Sequence, residues 1–348
     1  MSLPLAAAYP FAPAVPLAAE DGLVSVVIVH HRGTDDLVRC LRSLEGQAER
    51  LEAIVVDNGS PDPLPPLPAF ARVVRLPENL GFAGGANAGL LAARGDFVLF
   101  LNPDAELEPA CLARMRAVDA DVVAPRILLR DEEGRLDNCG HGLYPDGLNW
   151  CRGRGQAAEG RFEAAEDLLL FSGAAVGMRR SALVRTGGFD PSYFAYGEDA
   201  DLGLRAARMG LRCRYEPSAV VRHAVGGSFG RSSLRKAYLV ERNRARVAVT
   251  HLPRRWLAVS PALTLLRHVL LAGPASRGRG VGSGWSRPQR LALPLVIGGA
   301  HAASLLALPG SLRRRRAVER ATPDRAAFRA RLSGAWVGPR ALIERPVA

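Results

Sequence analysis

Short apolar runs alternate with helical patterns over the first third of the chain. Runs of strand length lie at residues 24–29, 51–56, 73–76 and 97–101. After the first run, Thr34 caps a segment with leucines at helical spacing that ends at Gly46, and a further helix is predicted over residues 87–94. This alternation predicts an α/β fold with a mostly parallel, doubly wound central sheet and flanking helices.

Polar residues stand at the ends of three of these strands. They are His30 and His31, Asp57 and Asn58, and Asn102, Pro103 and Asp104. Carboxyl ends of parallel strands meet at one edge of a sheet, where open α/β folds bind ligands. Asn, Pro and Asp are also common turn residues, so an ordinary strand-to-turn junction is the alternative. In the functional interpretation Asp104 holds Mg²⁺ or Mn²⁺, which would neutralise a diphosphate leaving group.

A second acidic cluster starts a predicted helix and contains Glu198, Asp199 and Asp201. Its ordinary interpretation is charge stabilised by the helix dipole, an effect of roughly 0.3 to 1 kcal/mol. Two aromatic residues, Tyr193 and Phe194, precede the cluster, and partial burial by them would raise a carboxyl pKa towards the range of a general base. We therefore expect Asp199 to act as the base and Glu198 to orient it or the acceptor, whereas Asp201 serves the helix start.

His223 follows an apparent strand at residues 219–222. A lone histidine usually has a structural role. With Asp104 and the acidic cluster upstream, however, we expect His223 to contact a metal ion or a diphosphate.

The glycine-rich stretch 79–89 suggests a nucleotide-binding turn. It lacks the first-strand position and the acid about 20 residues downstream that a dinucleotide fingerprint requires. A close backbone approach to a nucleotide and a tight strand-to-helix turn would explain these glycines equally well.

Charge divides the chain sharply. Residues 231–348 carry 23 basic and 4 acidic side chains, whereas residues 1–230 carry 23 basic and 30 acidic side chains. Within this basic extension, residues 291–312 have no formal charge, although Pro294 and Pro309 make them a poor bilayer span. We expect a helical, interfacial element held against anionic lipid. Nucleic-acid binding by the tail is disfavoured, because long apolar runs separate its basic residues and no known nucleic-acid-binding fold is evident.

The compartment follows from the cysteines and the N-terminus. Five widely spaced cysteines, with no Cys-x-x-Cys pair, indicate neither a disulfide framework nor a zinc knuckle and fit a reducing cytoplasm. Residues 1–19 contain four prolines and no basic residue, unlike a signal peptide. Residues 1–22 are therefore expected to form a loose leader.

The motifs in their order resemble family 2 glycosyltransferases, and most nearly the bacterial rhamnosyltransferase-like branch. The resemblance covers roughly residues 22–250 and rests on residues 24–29, 55–60, 79–82, 101–104, 187–190 and 197–202. It implies a GT-A fold, a Rossmann-like sheet, and inverting transfer of a sugar from a nucleotide-activated donor.

The resemblance also implies roles for individual residues. Asp57 matches the acid that contacts the nucleobase, and Asp104 matches the last acid of the Asp-x-Asp metal motif. Asp199 matches the catalytic base, and His223 matches the histidine near the metal and diphosphate. The residues expected at the nucleotide are His30, Asp57, Asn58, Asn79, Gly81 and Asn102. Two departures stand out: Asn102 replaces the first metal-motif acid, and His30-His31-Arg32 replaces a Thr-Tyr-Asn-like set.

The expected organisation follows from this resemblance. A catalytic domain occupies residues 23–230, with a nucleotide-binding half at 23–107 and an acceptor-binding half at 108–230, and the helical extension occupies residues 231–348. The expected donor is dTDP-rhamnose, with a UDP-hexose as the alternative, and the acceptor is a saccharide or lipid-linked saccharide for cell-surface polysaccharide. We expect a cytoplasmic enzyme, peripheral at the inner face of the cell membrane; a catalytically inactive relative is the remaining alternative.

Overall fold

The computed structural model describes residues 9–224, 233–276 and 285–339, which form twelve strands and ten helices. The strands are β1 (Glu20–His30), β2 (Leu51–Asn58), β3 (Ala71–Leu76), β4 (Gly95–Leu101), β5 (Ala105–Leu107), β6 (Val122–Leu129), β7 (Leu136–Asn138), β8 (His141–Leu143), β9 (Asn149–Cys151), β10 (Glu166–Leu168), β11 (Ala175–Arg179) and β12 (Cys213–His223). The helices are α1 (Thr34–Glu45), α2 (Gly81–Ala92), α3 (Cys111–Ala117), α4 (Arg180–Thr186), α5 (Glu198–Arg208), α6 (Leu234–His251), α7 (Arg254–Ser276), α8 (Arg287–Leu306), α9 (Leu308–Ala321) and α10 (Arg325–Gly334).

The central sheet has the order β10-β12-β6-β11-β4-β1-β2-β3. Strands β3, β2, β1 and β4 are parallel, and β12 is parallel to β6, whereas β11 runs antiparallel to both β4 and β6. Short strands β5 and β7 add to β12 and β6, and β8 pairs with β9 in a separate hairpin. The predicted mostly parallel sheet with flanking helices is confirmed.

The strand register brings the polar strand ends to one edge of this sheet. His30 at the end of β1 pairs with Asp57 of β2, and Ala175 at the start of β11 pairs with Leu101 at the end of β4. His223, at the end of β12, pairs with Ala105 just beyond β4. Residues more than 190 positions apart in the chain therefore face a common cleft edge.

Helix α2 begins at Gly81, so the expected helix start at residue 87 is wrong. Glycines of this helix on both sides of residue 87 pack directly on the sheet. A Cβ atom on Gly85 would lie 2.6 Å from Val29 Cγ1, and one on Gly89 would lie 2.4 Å from Val27 Cγ1. Close backbone approach to the strands, rather than helix propensity, explains the glycine-rich stretch.

The segment before β1 packs on the fold, so the expected loose leader is wrong from residue 9 onward. Tyr9 is fully buried, and its hydroxyl donates to Asp190 Oδ2 at 3.2 Å. The Arg205 guanidinium lies 4.8 Å from the centre of the Tyr9 ring, and Val15 is also buried. Residues 1–8 lie outside the described residues, and β1 already begins at Glu20.

Asp201 lies in the first turn of α5, as expected, and it also belongs to a buried ion-pair network that the sequence did not predict. Its carboxylate is fully buried and accepts hydrogen bonds from Arg205 Nε and His251 Nε2, each at 2.9 Å. Arg205 also donates to the carbonyl oxygens of Thr186 and Gly188. The network joins α5 to α6 and to the loop that follows α4.

The basic extension is helical, as predicted, and α6 packs against α5, α8 and α9. The uncharged stretch 291–312 divides between α8 and α9, which bend by 60° at their junction. Over the described residues, neither of these helices nor any other has both the length and the apolar composition needed to cross a bilayer. The bent pair α8 and α9 together meets those two criteria.

Replacement of Arg205 by Met should lower the free energy of unfolding by about 3 to 5 kcal/mol, because it leaves the Asp201 carboxylate buried without its cation. Urea denaturation followed by circular dichroism measures this change. The control is Arg50→Met, which removes the ion pair between Arg50 and Glu20, whose side chains are 66% and 38% exposed, respectively. This substitution should lower the free energy of unfolding by less than about 1 kcal/mol. Equal losses in the two variants would contradict the proposed importance of the network.

Candidate active site

Asp104 and His223 meet at the edge of the sheet. The short strand β5 pairs antiparallel with β12, and this pairing carries the two residues together although they are 119 positions apart. Asp104 Oδ1 lies 3.2 Å from His223 Nε2, and both side chains are mostly buried. The two residues predicted to face a metal ion therefore lie side by side.

Asp137, on β7, fixes the orientation of His223. His223 Nδ1 donates to Asp137 Oδ2 at 2.8 Å, and Arg154 Nη1 donates to the other carboxylate oxygen at 2.6 Å. Burial by itself would lower the pKa of His223, but hydrogen bonds to Asp104 and Asp137 raise that pKa to about 10. The sequence analysis missed Asp137, because residues 108–170 showed no clear periodicity.

The donor set fits a divalent cation that is shared with a substrate. Within residues 9–224, 233–276 and 285–339, no cluster of three or more His, Cys, Asp or Glu side chains is arranged to hold a metal by itself. Asp104 and His223 supply two donors, and Mg²⁺ or Mn²⁺ commonly takes the rest from substrate phosphates and water. Metal binding at this pair would displace the proton of His223, since only the neutral imidazole is a ligand.

Asp199 lies beside the end of β4. Its Oδ2 accepts a hydrogen bond from Gly173 N–H at 3.1 Å, and the next residue, Ala174, accepts one from Asn102 N–H at 2.9 Å. Two consecutive residues thus connect the predicted base to the Asn102-Pro103-Asp104 turn. The structure brings Asp199 and the predicted metal site into the same region.

Glu198 differs from Asp199 in its surroundings. It is 6% exposed, and among the described residues no donor reaches its Oε2. Burial and the neighbouring Asp199 carboxylate raise the pKa of Glu198 to about 8. A buried polar atom without a protein partner calls for an explanation, and a ligand that satisfies it is one.

The loop before this acidic pair is held in a strained conformation. Phe194 and Tyr196 have φ values of +66° and +68°, which cost roughly 1–3 kcal/mol each in non-glycine residues. Asn243 of α6 is fully buried, and its Nδ2 lies within hydrogen-bond distance of the carbonyl oxygens of Tyr193, Ala195 and Tyr196, at 2.8, 2.9 and 2.6 Å. A helix of the basic extension therefore positions the loop that leads to Glu198 and Asp199.

The hairpin β8–β9 brings polar groups that the sequence analysis missed to Asp199. Asn149 Nδ2 donates to Asp199 Oδ1 at 3.3 Å, and His141 Nδ1 lies 3.7 Å from Asp199 Oδ2. Cys151 Sγ lies 3.5 Å from the other ring nitrogen of His141. An available signal was the Asp-Gly dipeptide at 146–147, which favours a turn between two short strands.

Asp57 and His30 lie together at the other end of the edge. Asp57 accepts hydrogen bonds from Ser60 N–H at 3.0 Å and from Arg75 Nη1 at 2.8 Å. The buried His30 Nδ1 has no partner among the described residues, nor has the hydroxyl of Ser60. These unsatisfied groups beside Asp57 suit the polar edge of a nucleobase, and that role stays a prediction.

Asn58 and Asn79, predicted at the nucleotide, bond to each other and to the backbone of the turn before α2. Asn58 Nδ2 donates to Asn79 Oδ1 at 3.2 Å and to Gly81 O at 3.0 Å, and Leu80 N–H donates back to Asn58 at 2.9 Å. Gly81 has φ +74° and contacts Phe194, where a Cβ atom would lie 2.3 Å from the carbonyl oxygen. These contacts hold the turn before α2, and nucleotide contacts of Asn58, Asn79 and Gly81 stay predictions.

Comparison with known families matches two overlapping parts of the chain. Residues 25–187 match the model described as glycosyl transferase family 2, and residues 160–304 match glycosyl transferase family group 2. The first match contains Asp57, Asp104 and the hairpin, and the second contains the acidic pair and His223. Together they cover the sheet and the helices that complete the site.

Curated relatives agree with this assignment. The N-acetylglucosaminyl-diphospho-decaprenol L-rhamnosyltransferase of Mycobacterium tuberculosis is 31% identical over 242 residues, which are 60% of this chain and 78% of that protein. Rhamnosyltransferase WbbL of Escherichia coli K12 is 27% identical over 56% of this chain and 81% of its own.

A solved structure shares the fold. The crystal structure of GalNAc-T7 with UDP, GalNAc and Mn²⁺ superposes with a TM-score of 0.53 at 15% identity, over 83% of this chain and 57% of that one. At this identity the likeness shows the GT-A fold alone. From the family and relative matches, the chain belongs to glycosyltransferase family 2, as a glycosyltransferase of the rhamnosyltransferase-like kind.

Proposed function

We propose that this enzyme transfers a sugar from a nucleotide-sugar donor to a saccharide acceptor with inversion at the anomeric carbon. The donor we propose first is dTDP-rhamnose, because two curated relatives are rhamnosyltransferases. The observation that carries the proposal is the pair Gly173 and Ala174, which hydrogen-bonds to Asp199 on one side and to Asn102 on the other. A base beside a metal-and-diphosphate site is the arrangement that glycosyl transfer requires.

Asp199 is the proposed general base. It takes the proton of an acceptor hydroxyl while that oxygen forms a bond to the anomeric carbon and the bond to the nucleoside diphosphate breaks. Attack from the side opposite the leaving group inverts the configuration in one displacement. A divalent cation, when bound at Asp104 and His223, supplies positive charge for the departing diphosphate.

Glu198 is proposed as an orienting group rather than a second base. With a pKa of about 8 its carboxyl is largely protonated at neutral pH, so it donates a hydrogen bond to the acceptor instead of accepting the proton. Its Oε2, which no described protein donor reaches, is the atom available for that contact. Asp199, which accepts hydrogen bonds from Gly173 N–H and from Asn149, is the member of the pair that we propose as the proton acceptor.

The acceptor is proposed to be a lipid-linked saccharide, on the grounds of the helices α7 and α8. Apart from the exposed arginines near their N-terminal ends, both helices direct charged or polar side chains inward. Arg267 of α7 pairs with Glu241 of α6 at 2.8 Å, and His301 of α8 lies 3.1 Å from Arg244 of α6. Their outer faces are apolar, which inverts the pattern of a helix in an aqueous protein.

We call these outer faces the apolar surface. It comprises Val259, Leu265, Leu266 and Val269 on α7, and Leu291, Leu295, Leu305 and Leu306 on α8. Leu295 and Leu306 are 81% and 85% exposed. Exposed apolar side chains of this number indicate an interaction site.

Lipid is the proposed partner of the apolar surface, because arginines accompany it. Arg254 and Arg255 are exposed at the start of α7, and the extension carries 23 basic against 4 acidic residues. Each basic side chain near an anionic bilayer contributes about 1 kcal/mol. We therefore place the enzyme on the cytoplasmic face of the cell membrane, where a sugar carried on a diphospho-polyprenol would reach Asp199.

The Asp199→Asn variant should lose about 10²- to 10⁴-fold in turnover, because the amide cannot take the acceptor proton. Its dissociation constant for the donor should stay within about threefold of wild type. Product release with dTDP-rhamnose and isothermal titration measure the two quantities. The control is Asp167→Asn, because Asp167 is an exposed carboxylate that pairs with Arg212 and Arg214; this variant should behave as wild type. Loss of donor binding in Asp199→Asn would contradict the role of Asp199 as base.

Wild-type protein should bind dTDP-rhamnose more tightly with Mg²⁺ or Mn²⁺ than with chelator. Asp104→Asn should remove this metal dependence and weaken binding at least about tenfold, or 1.4 kcal/mol. The control is Glu106→Gln, because Glu106 lies two residues after Asp104, on β5, and its carboxylate pairs with Arg130 and not with His223. Preference for a UDP-hexose would replace the proposed donor, and absence of binding to every nucleotide sugar would leave an inactive relative.

Replacement of Leu295 and Leu306 by Gln should reduce binding to vesicles of phosphatidylcholine and phosphatidylglycerol at least tenfold. Each leucine contributes about 1.5–3 kcal/mol when it leaves water. Co-sedimentation at low and high salt measures the effect. Leu17→Gln, at a leucine that is 72% exposed in the N-terminal segment, is the control; a wild-type protein that stays in the supernatant at low salt would contradict the membrane proposal.

A further inference from the structure

The hairpin β8–β9 lies against the predicted base, Asp199. Its two strands pair His141 with Cys151 and Leu143 with Asn149, so His141, Asn149 and Cys151 share one face. Asn149 Nδ2 lies 3.3 Å from Asp199 Oδ1 and 3.2 Å from His141 Nδ1. The Asn149 amide therefore donates to the Asp199 carboxylate and lies against the His141 ring.

We propose that His141 is a positioning residue for Asp199, which it holds in place directly and through Asn149. The proposal rests on the proposed function, in which Asp199 is the general base. It assigns to this family member a supporting residue in a segment of irregular sequence that carries none of the family motifs.

The buried carboxyl pair explains why such a residue is needed. Glu198 and Asp199 are adjacent and both less than 10% exposed, so their charges oppose each other. His141, 6% exposed, lies 3.7 Å from Asp199 Oδ2, whereas none of the described residues is a hydrogen-bond partner for Glu198 Oε2. The hairpin side chains therefore contact the proposed base, and these contacts hold its carboxylate in place.

His141 is itself well placed to be rigid. Its Nε2 lies 3.5 Å from Cys151 Sγ, and its backbone N–H donates to Leu170 O at 3.0 Å. Burial alone would lower the pKa of His141, but Cys151 and Asp199 raise it to about 9. The ring is therefore contacted at both nitrogens, and Asp199 is contacted by the one nearer to α5.

The turn of the hairpin is also anchored. Asp146, fully buried, accepts hydrogen bonds from Arg267 Nε at 2.8 Å and from Thr264 Oγ1 at 3.2 Å. Its carbonyl oxygen accepts from Arg244 Nη1 at 2.8 Å. A positioning residue requires a support that does not move, and α6 and α7 supply it here.

Two substitutions of His141 separate its two ring nitrogens. An Asn amide occupies the place of Nδ1, which faces Asp199, whereas a Gln amide extends to the place of Nε2, which faces Cys151. His141→Gln should lower kcat about 10- to 100-fold with KM for dTDP-rhamnose unchanged, since a misplaced group costs rate rather than donor affinity. His141→Asn should recover kcat to within about fivefold of wild type.

The assay follows release of dTDP from dTDP-rhamnose with a short-chain N-acetylglucosaminyl-diphospho-prenol as acceptor, and thermal denaturation is recorded for each protein. Arg152→Gln is the control, because Arg152 follows β9 but pairs with Glu166 away from Asp199. If both His141 variants fail to fold, Asn149→Ser replaces them and should show the same fall in kcat.

Several results would overturn the positioning role. One is a kcat of His141→Gln within twofold of wild type. Another is an equal loss of kcat in His141→Gln and His141→Asn that parallels their loss of thermal stability. A third is an increase in the KM of His141→Gln with kcat unchanged. Wild-type protein that neither binds nor turns over any nucleotide sugar overturns the proposed function first, and the positioning role falls with it. Turnover by wild type with unaffected variants overturns the positioning role alone.

Discussion

Parallel pairing of β1 with β2 and β4 is the constraint on which the site depends. It aligns the carboxyl ends of these strands, so that His30, Asp57 and Asn102 reach one edge. The antiparallel strand β11 then enters at the same edge and delivers Gly173 and Ala174 between Asn102 and Asp199. Without that register the proposed base and the pair Asp104 and His223 would have no common support.

The basic extension is part of the catalytic scaffold as well as a candidate membrane contact. Asn243 of α6 holds the strained loop before Glu198, and Arg267 of α7 anchors the hairpin turn at Asp146. Asp201 of α5 bonds to His251 at the end of α6. Helices α6 and α7 therefore connect the outward-facing leucines to the loops around the acidic pair, and the boundary predicted at residue 230 divides the chain but not the site.

Buried charge is arranged in pairs across the molecule. Asp201 is matched by Arg205, Asp137 by Arg154 and His223, and Asp146 by Arg267, each within 3 Å. Uncompensated charge is too costly to bury, so these partners determine which carboxylates stay ionised. Glu198 differs from these carboxylates: no described residue reaches its Oε2, and burial together with the neighbouring Asp199 raises its pKa to about 8. The acidic pair is therefore asymmetric because of its surroundings.

The sequence by itself determined the alternation of strands and helices, the polar strand ends, and the motif residues Asp104, Asp199 and His223, because periodicity and turn chemistry are local properties of the chain. It did not reveal that α2 begins at Gly81, that Tyr9 is buried, or that Asp201 is a core residue, since each depends on packing between distant segments. Asp137, His141, Asn149 and Asn243 likewise acquire their partners only when β7, the hairpin and α6 close on the sheet edge. Only the tertiary structure decides such contacts, because hydrogen-bond partners far apart in the chain leave no periodic signal.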